Sequence, residues 1–151
     1  MRASEAVRKP VVTVTPETSI HDVATLMNRH AVGSVLVLTG DGEVAGIATD
    51  RDLVVRALAS RIPGDARVDA VMTSDVITLD AAADVRAALP IFRAHGFRRL
   101  PLVDGRRVIG VLTVDDLLIN VAADLGDLVR PITGEVIFGY AEEPRTPVVH
   151  G

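Results

Sequence analysis

At 151 residues, the chain can form one ordinary domain or two half-size domains that share a core, because a lone unit of about 60 residues buries too little surface to be robust. Hydrophobic residues make up 48% of the sequence but aromatic residues only 3%, so the interior must be built from Val, Leu, Ile and Ala. The formal net charge of −4, with scattered basic residues, disfavours nonspecific nucleic-acid binding, and the absence of cysteine excludes disulfides and thiolate chemistry.

The sequence shows no recognisable targeting or membrane signal. Its first residues, MRASEAVRKPVV, lack the apolar stretch of a secretory signal, and no uncharged apolar run approaches the length of about 18 residues that a membrane helix needs. We therefore expect a cytoplasmic protein that does not enter a membrane.

The predicted elements occur twice, in the same order. The stretch VVTVTPETSIHDVATLMNRHAVGSVLVL, residues 11–38, aligns with VITLDAAADVRAALPIFRAHGFRRLPLV, residues 76–103, at a constant offset of 65. After a turn that is one residue shorter in the second copy, GIATDRDL (46–53) aligns with GVLTVDDL (110–117). Each copy is predicted to form a strand, a helix, two strands and a second helix.

In the first copy, residues 11–14 are rich in strand-forming side chains, and Thr15 followed by Pro16 is a helix start signal. Apolar residues then recur at helical spacing from Ile20 to Met27. The next two strands, joined by a hairpin turn of Gly and Asp, are predicted at residues 34–38 and 43–49.

The second copy repeats this pattern with one misfit. Its opening strand is predicted at residues 76–79, and Asp80 before three alanines is the helix start signal. Pro90 lies inside the first helix, where it removes one backbone donor and should kink the helix. The two strands that follow are predicted at residues 99–103 and 107–113.

These elements predict an α+β fold made of tandem βαββα repeats. We place the first repeat at residues 1–60, a linker at 61–68 and the second repeat at 69–124, because SRIPGDA (60–66) carries Pro and Gly between the copies. Residues 125–151 form a C-terminal extension. Within it, residues 130–140 are predicted to add a short strand, and the Pro-rich end EEPRTPVVHG to be mobile.

A Thr-x-x-Asp pair opens the second helix of each copy, as Thr49 with Asp52 and Thr113 with Asp116. The pair fits a capping box, in which the hydroxyl caps the helix and the acid accepts from the N–H of the cap residue. It also fits a ligand site, because free N–H groups and a hydroxyl can bind phosphate and a carboxylate can bind a ribose diol. The two roles are compatible, and the pattern leaves both open.

The whole repeat resembles the CBS domain pair (the cystathionine β-synthase repeat), also called a Bateman module. The resemblance covers about residues 7–123 and rests on GIATDRDL, GVLTVDDL, RRLPLVDG and VMTSDVIT. It implies a pseudo-twofold pair of βαββα units with clefts that hold adenosine-containing ligands such as AMP, ADP, ATP or, in some members, S-adenosylmethionine. It also implies a homodimer that associates through helices.

The resemblance assigns roles to residues at matching positions. It implies a ribose-binding acid at Asp52 and Asp116 and a phosphate- or ribose-contacting hydroxyl at Thr49 and Thr113. The strand that lines the adenine pocket, partly through backbone groups, matches Val12, Thr13, Ile77 and Thr78. The edge of the next strand, the other wall of the pocket, matches Ser34, Val35, Leu100 and Pro101.

The two copies predict unequal sites. Arg51 lies beside Asp52 and offers a cation for a phosphate, whereas Asp115 places a second carboxylate beside Asp116. Arg98 and Arg99 are candidates to compensate in the second copy, although exposed residues in weak salt bridges would have the same pattern.

The sequence offers little for catalysis or metal binding. It contains no G-x-S-x-G elbow, P-loop or H-E-x-x-H motif, and His30 and His95 have no partner at ligand spacing. We therefore expect no enzyme, no metal site and no obligatory cofactor. The expected function is a regulatory module that binds an adenosine-containing ligand and signals to an unidentified effector protein; the alternative is a ligand-free dimerisation or docking scaffold.

Overall fold

Two three-stranded sheets, one from each copy of the repeat, organise the fold. The computed structural model describes the backbone of residues 1–138 and the side chains of residues 1–131. In each sheet a short strand runs parallel to the middle strand and the third runs antiparallel to it. The strands are β1 (Thr13–Val14), β2 (Ser34–Leu38), β3 (Val44–Thr49), β4 (Leu79–Asp80), β5 (Arg99–Asp104) and β6 (Arg107–Thr113).

Helices precede and follow the sheets, which confirms the predicted α+β class and the βαββα order. They are α1 (Ala3–Ala6), α2 (Ile20–His30), α3 (Asp50–Asp52, continued by a π-helical segment at Leu53–Leu58), α4 (Ala88–His95) and α5 (Val114–Phe138). Short 3-10 helices occupy Val68–Ala70 and Val85–Ala87. Residues 1–116 form one compact unit, and residues from Leu117 onward belong to a second.

The strand pairing has the same register in both copies. Val14 pairs with Val37 in the first sheet, as Leu79 pairs with Leu102 in the second. Both antiparallel ladders contain a register shift at the equivalent place, directly after Val37 and Leu102. The hydrogen bonding therefore follows the offset that the sequence alignment predicts.

Both predicted helix start signals are wrong. Helix α2 begins after Ser19, whose Oγ accepts from the N–H of Asp22 at 3.1 Å, and the second copy begins its helical turn after Asp84. Thr15 and Asp80 instead belong to local turns: the Thr15 N–H bonds to Oγ1 of Thr18, and Oδ1 of Asp80 accepts from the Ala82 N–H. Short polar side chains satisfy such turns as readily as helix ends, so the pattern alone does not separate them.

The opening strands are shorter than predicted, with two residues each in place of four. In the second copy, Val76 and Ile77 line a cavity instead of joining the ladder. Pro90 does not kink the middle of a helix. The helix starts as the 3-10 turn Val85–Ala87 and becomes α-helical at Ala88, so Pro90 falls in the first α-helical turn, where the missing N–H costs little.

The predicted strand at residues 130–140 is also wrong over its described part. Helix α5 continues through Phe138 with Pro131 inside it, well beyond the end of the repeat. The equivalent helix of the first copy ends near Leu58, and Pro63 follows a few residues later. Helix α5 meets no proline before Pro131, so it can continue further. Residues 139–140 and the Pro-rich segment 142–151 lie outside the described residues.

Residues 1–7, at the start of the first copy, pack on the second. The Ala3 and Ser4 N–H groups donate to the carbonyls of Ala83 and Ala81, and Arg2 forms an antiparallel bridge with Asp84. Ala3 and Ala6 are buried. The first copy therefore supplies a segment that completes the second.

The inter-repeat segment, residues 66–73, packs on the first copy and completes it. Val68 and Val71 belong to its core, and the Val68 N–H donates to the Thr18 carbonyl at 2.8 Å. Arg67 bridges Ser19, as Arg2 bridges Asp84. The segment is also held by a surface ion pair, in which the hydrogen bonds that Arg67 donates to the Asp69 carboxylate raise the pKa of Arg67.

Candidate functional site

The two Thr-x-x-Asp pairs form the predicted capping boxes. In the first copy, the Thr49 N–H donates to Oδ2 of Asp52 at 3.0 Å and the Asp52 N–H donates to Oγ1 of Thr49 at 3.2 Å. Thr113 and Asp116 exchange the same two bonds, both at 3.0 Å. One carboxylate oxygen of Asp52 is thus engaged by the cap and its side chain remains 14% exposed.

A cavity of about 220 Å³ lies between the two copies and includes the first of these pairs. This volume is below the range of about 300 to 1,000 Å³ that encloses drug-sized ligands, so a nucleotide would extend from its mouth. Residues of three segments line it: Ile47, Thr49 and Asp52 of the first copy, Thr73, Asp75, Val76 and Ile77 of the inter-repeat segment and its continuation, and Phe97, Arg98 and Arg99 before and in β5.

The cavity therefore joins the helix start of one copy to the opening strand of the other. Thr49 and Asp52 share it with Ile77, which the resemblance also implicates, and with Arg99, which was predicted as a compensating cation. The equivalent residues in the other copy, in the same order, are Thr113, Asp116, Val12 and Ser34. Both sets were predicted from the sequence, but only the fold shows which members of the first set meet.

The cationic side chains that line this cavity are Arg98 and Arg99, and they share it with Asp52 of the first copy. The sequence prediction assigned them to the site of the second copy, where Asp115 adds a carboxylate. The reason is that the cleft forms between copies. Arg98 also forms an exposed ion pair with Asp115 at 3.2 Å, of a kind that contributes little stability. Arg99 extends toward the first copy, since a Cβ on Gly33 would lie 3.0 Å from its Nη2 atom.

Asp52 has a second cationic neighbour that the sequence interpretation missed. Nε of Arg56 lies 3.6 Å from Oδ1 of Asp52, the oxygen not used by the cap. Arg51, the cation predicted to lie beside the ligand phosphate, is exposed and does not line the cavity. The spacing of four residues along one helix was a usable signal for Arg56, because side chains at i and i+4 are neighbours.

Phe97 adds an aromatic ring to the cavity wall. Its ring stacks on His95 with centroids 5.4 Å apart and contacts Phe92 edge-on at 6.1 Å. His30 and His95 are each the last residue of their helix, α2 and α4. The ring of Phe97 is thereby held in place by side chains of its own copy.

The other residues implicated by the resemblance do not line this cavity. Val35, Leu100 and Pro101 are fully buried in the sheets, and Thr13 and Thr78 lie in or next to the opening strands. Conversely, the cavity also has lining residues that were not predicted from the sequence: Ile47, Thr73, Asp75, Val76 and Phe97. Most of these residues lie within two positions of a predicted site residue, so closeness in sequence was the signal that could have indicated them.

Neither a metal cluster nor a membrane helix is found in the part of the chain that the structure describes. Among the side chains that the structure describes, those of residues 1–131, His, Asp and Glu do not gather in a group of three or more able to hold a metal ion. No helix in the same range combines the length and the hydropathy needed to cross a membrane.

Comparison with known proteins matches both repeats. The CBS domain model matches residues 3–58 and 68–123. The chain is 33% identical over 110 residues to the CBS domain-containing protein YhcV of Bacillus subtilis, covering 73% of this chain and 78% of YhcV. It is also 33% identical over 116 residues to protein MK0525 of Methanopyrus kandleri, covering 76% of this chain but only 59% of that relative, less than two thirds of its length.

A solved structure shares the fold and carries a ligand. The CBS domain protein PAE2072 from Pyrobaculum aerophilum, complexed with AMP, superposes with a TM-score of 0.72 at 26% identity and covers 82% of this chain and 99% of that one. The duplicated sheets, the paired Thr-x-x-Asp caps and these matches lead to one conclusion. The chain belongs to the CBS domain family.

Proposed function

We propose that this protein is a regulatory module that binds an adenosine nucleotide in the cleft between its two repeats and reports the ligand to a partner protein. The observation that carries the proposal is the cavity itself, which gathers two threonine hydroxyls, two carboxylates and two arginines from both repeats and the segment between them. Such a combination of a few polar groups in a concave site is typical of small-molecule binding sites.

Each group in the cavity suits one part of a nucleotide. The Asp52 carboxylate, already oriented by the Thr49 N–H, can accept hydrogen bonds from a ribose diol. Arg98 and Arg99 offer guanidinium forks that match phosphate oxygens. Val76 and Ile77 supply apolar surface for a purine, and the AMP complex of PAE2072 supports AMP as the first ligand to test.

ADP, ATP and S-adenosylmethionine are the other ligands of this proposal, and none is an obligatory cofactor. The two arginines favour the anionic nucleotides over the cationic sulfonium compound. The module acts by binding and performs no chemistry on its ligand. We place it in the cytoplasm, where these nucleotides are found.

Signalling follows from the position of the ligand between the repeats. A ligand shifts an arrangement only when it binds two arrangements unequally, and a nucleotide in this cleft contacts both repeats at once. We propose that the resulting change is read by an effector protein and that the module acts as a homodimer. The dimer is supported by exposed apolar residues at equivalent helical positions in the two copies, Val54 and Val55 in one, Leu118 and Ile119 in the other.

A ligand-free scaffold is the second candidate, and one observation favours it. The capping boxes of Thr49 with Asp52 and of Thr113 with Asp116 are complete without any ligand. Under this alternative the Thr-x-x-Asp pairs serve only to start helices.

Calorimetric titration of AMP into the full-length protein separates the two candidates. Asp52→Asn keeps an oxygen that can accept from the Thr49 N–H but removes the charge, and it should raise the Kd for AMP about tenfold, the loss expected for hydrogen bonds to a charged group. Asp22→Asn is the matched control, because Asp22 is also the third residue of a capped helix and lies outside the cavity. Unchanged affinity is expected for this control.

Absence of binding by AMP, ADP, ATP and S-adenosylmethionine would contradict the sensor and favour the scaffold. Equal weakening by Asp52→Asn and Asp22→Asn would place the ligand elsewhere.

A further inference from the structure

Arg56 connects two parts of the cavity lining, the Asp52 side chain and the inter-repeat segment. Its Nη1 atom donates to the carbonyls of Val71 and Met72, each at 3.3 Å, and lies 3.5 Å from Oγ1 of Thr73. Its Nε atom lies 3.6 Å from Oδ1 of Asp52. One guanidinium therefore reaches both the acid of the first repeat and the inter-repeat segment that continues into the cavity wall.

Backbone contacts also hold the inter-repeat segment against the first sheet at this point. Thr73 and Ile47 exchange two backbone hydrogen bonds of 2.9 Å, and the Gly46 backbone comes close to Met72. Both Ile47 and Thr73 line the cavity. The position of this segment thus sets the distance between the cavity walls.

The chemistry of arginine suits this task better than that of any other cation. A guanidinium has five donors in a planar fork, so it can serve two carbonyls and a carboxylate in fixed directions, whereas an ammonium acts as a point charge on a flexible stem. Arg56 lies in the π-helical segment Leu53–Leu58, a local departure from α-helix that is common at functional sites. The second copy has Asn120 at the equivalent position, without the charge or the fork.

We propose that Arg56 is a positioning residue of the cleft: it ties Asp52 to the inter-repeat segment and holds the two walls at the spacing a nucleotide needs. The link to nucleotide binding rests on the proposed function; the link between Asp52 and the inter-repeat segment does not. Arg56 does not line the cavity and acts through the residues that do.

The first test needs no ligand. Amide hydrogen exchange is compared between wild-type protein, Arg56→Met and the control Arg29→Met, which removes the same charge from an exposed position on α2 outside the cavity. We expect the Thr73 N–H and its neighbours to exchange about tenfold faster in Arg56→Met, since local opening becomes easier when a hydrogen bond to a charged group is lost. Protection in β2 should stay unchanged, and Arg29→Met should match wild type throughout.

The second test uses AMP as the probe. Arg56→Met and Arg56→Lys should both raise the Kd about tenfold, because Lys keeps the charge but not the fork. Arg29→Met should bind as wild type does. Thermal unfolding of each variant shows whether the fold is retained.

The outcomes separate the two proposals. Wild-type exchange at Thr73 in Arg56→Met overturns the positioning role whatever the ligand result. Full AMP affinity in Arg56→Lys overturns it too, because charge alone would then suffice. If wild-type protein does not bind AMP but Thr73 exchanges faster in Arg56→Met, nucleotide binding is contradicted. The link that Arg56 makes between Asp52 and the inter-repeat segment is then still supported.

Discussion

Gly46 lies in β3 where the inter-repeat segment comes closest to the sheet. A Cβ at this position would lie 2.5 Å from Sδ of Met72 and 2.8 Å from the carbonyl oxygen of Thr73. The equivalent Gly110 is less crowded, with Val7 at 3.4 Å. Because Gly46 has no side chain, the inter-repeat segment can approach the sheet here and bring Thr73 to the cavity.

We predict that Gly46→Ala lowers the free energy of unfolding by about 1 to 3 kcal/mol, the usual cost of overpacking, because the backbone at Thr73 must shift. Gly110→Ala should cost less. Gly40→Ala is the control, since nothing lies within 4 Å of a Cβ there, and its effect should stay within about 0.5 kcal/mol. Urea denaturation measures all three; equal stability of Gly46→Ala and Gly40→Ala would refute the close approach.

Each repeat packs against a short segment of chain that lies outside the repeat itself. Residues 1–7 complete the second repeat, and residues 66–73 complete the first, with equivalent bridges from Arg2 to Asp84 and from Arg67 to Ser19. Each repeat therefore depends on a short segment that lies outside it in sequence, before the second repeat in one case and after the first in the other. This packing also brings Thr73 and Asp75 to the cavity, because the inter-repeat segment passes from the first core into the second repeat.

Substitutions in α1 test this packing. Ala3 is fully buried against the second repeat, whereas the adjacent Ser4 is exposed. Ala3→Glu should destabilise the protein by several kcal/mol because it buries an unpaired charge, and Ser4→Glu should be close to neutral. Hydrogen exchange should locate the loss first in β5 and β6 of the second repeat. Loss confined to the first repeat would contradict this packing.

Exposed apolar residues are the main feature of the whole molecule that its own fold leaves unexplained. Val54 is 57% exposed, and Leu118, at the equivalent position of the second copy, is 59% exposed. An isologous dimer uses the same surface patch of each subunit, and a patch present in both repeats suits a second copy of the chain. Exposed apolar residues at equivalent positions of both repeats are therefore the candidates for the interface of the proposed dimer.

We predict that the double substitution Val54→Lys with Leu118→Lys halves the mass in solution, as measured by light scattering after size exclusion. A charge at either position would have to be desolvated in the dimer. Ile109→Lys is the control, because Ile109 is 53% exposed but lies in β6, and it should leave the dimer intact. A monomeric wild-type protein, or equal dissociation by the control, would contradict this interface.

Local pattern in the sequence determined much of this protein. Both hairpins and the two Thr-x-x-Asp caps follow from side chains a few residues apart, whose hydrogen bonds form wherever the chain folds locally. The duplication follows from the alignment of the two copies. The same locality explains the errors: Thr15 and Asp80 satisfy nearby turns, and only packing selects Ser19 and Asp84 as caps.

Tertiary structure alone decided which segments meet. The cavity pairs Asp52 with Arg98 and Arg99 across the repeats, Arg56 reaches the carbonyls of Val71 and Met72, and residues 1–7 cover the opposite repeat. These contacts join residues far apart in sequence and depend on how two cores pack against each other. Local periodicity does not predict these contacts, because both repeats have the same pattern. The pattern therefore does not show which repeat supplies which wall of the cavity.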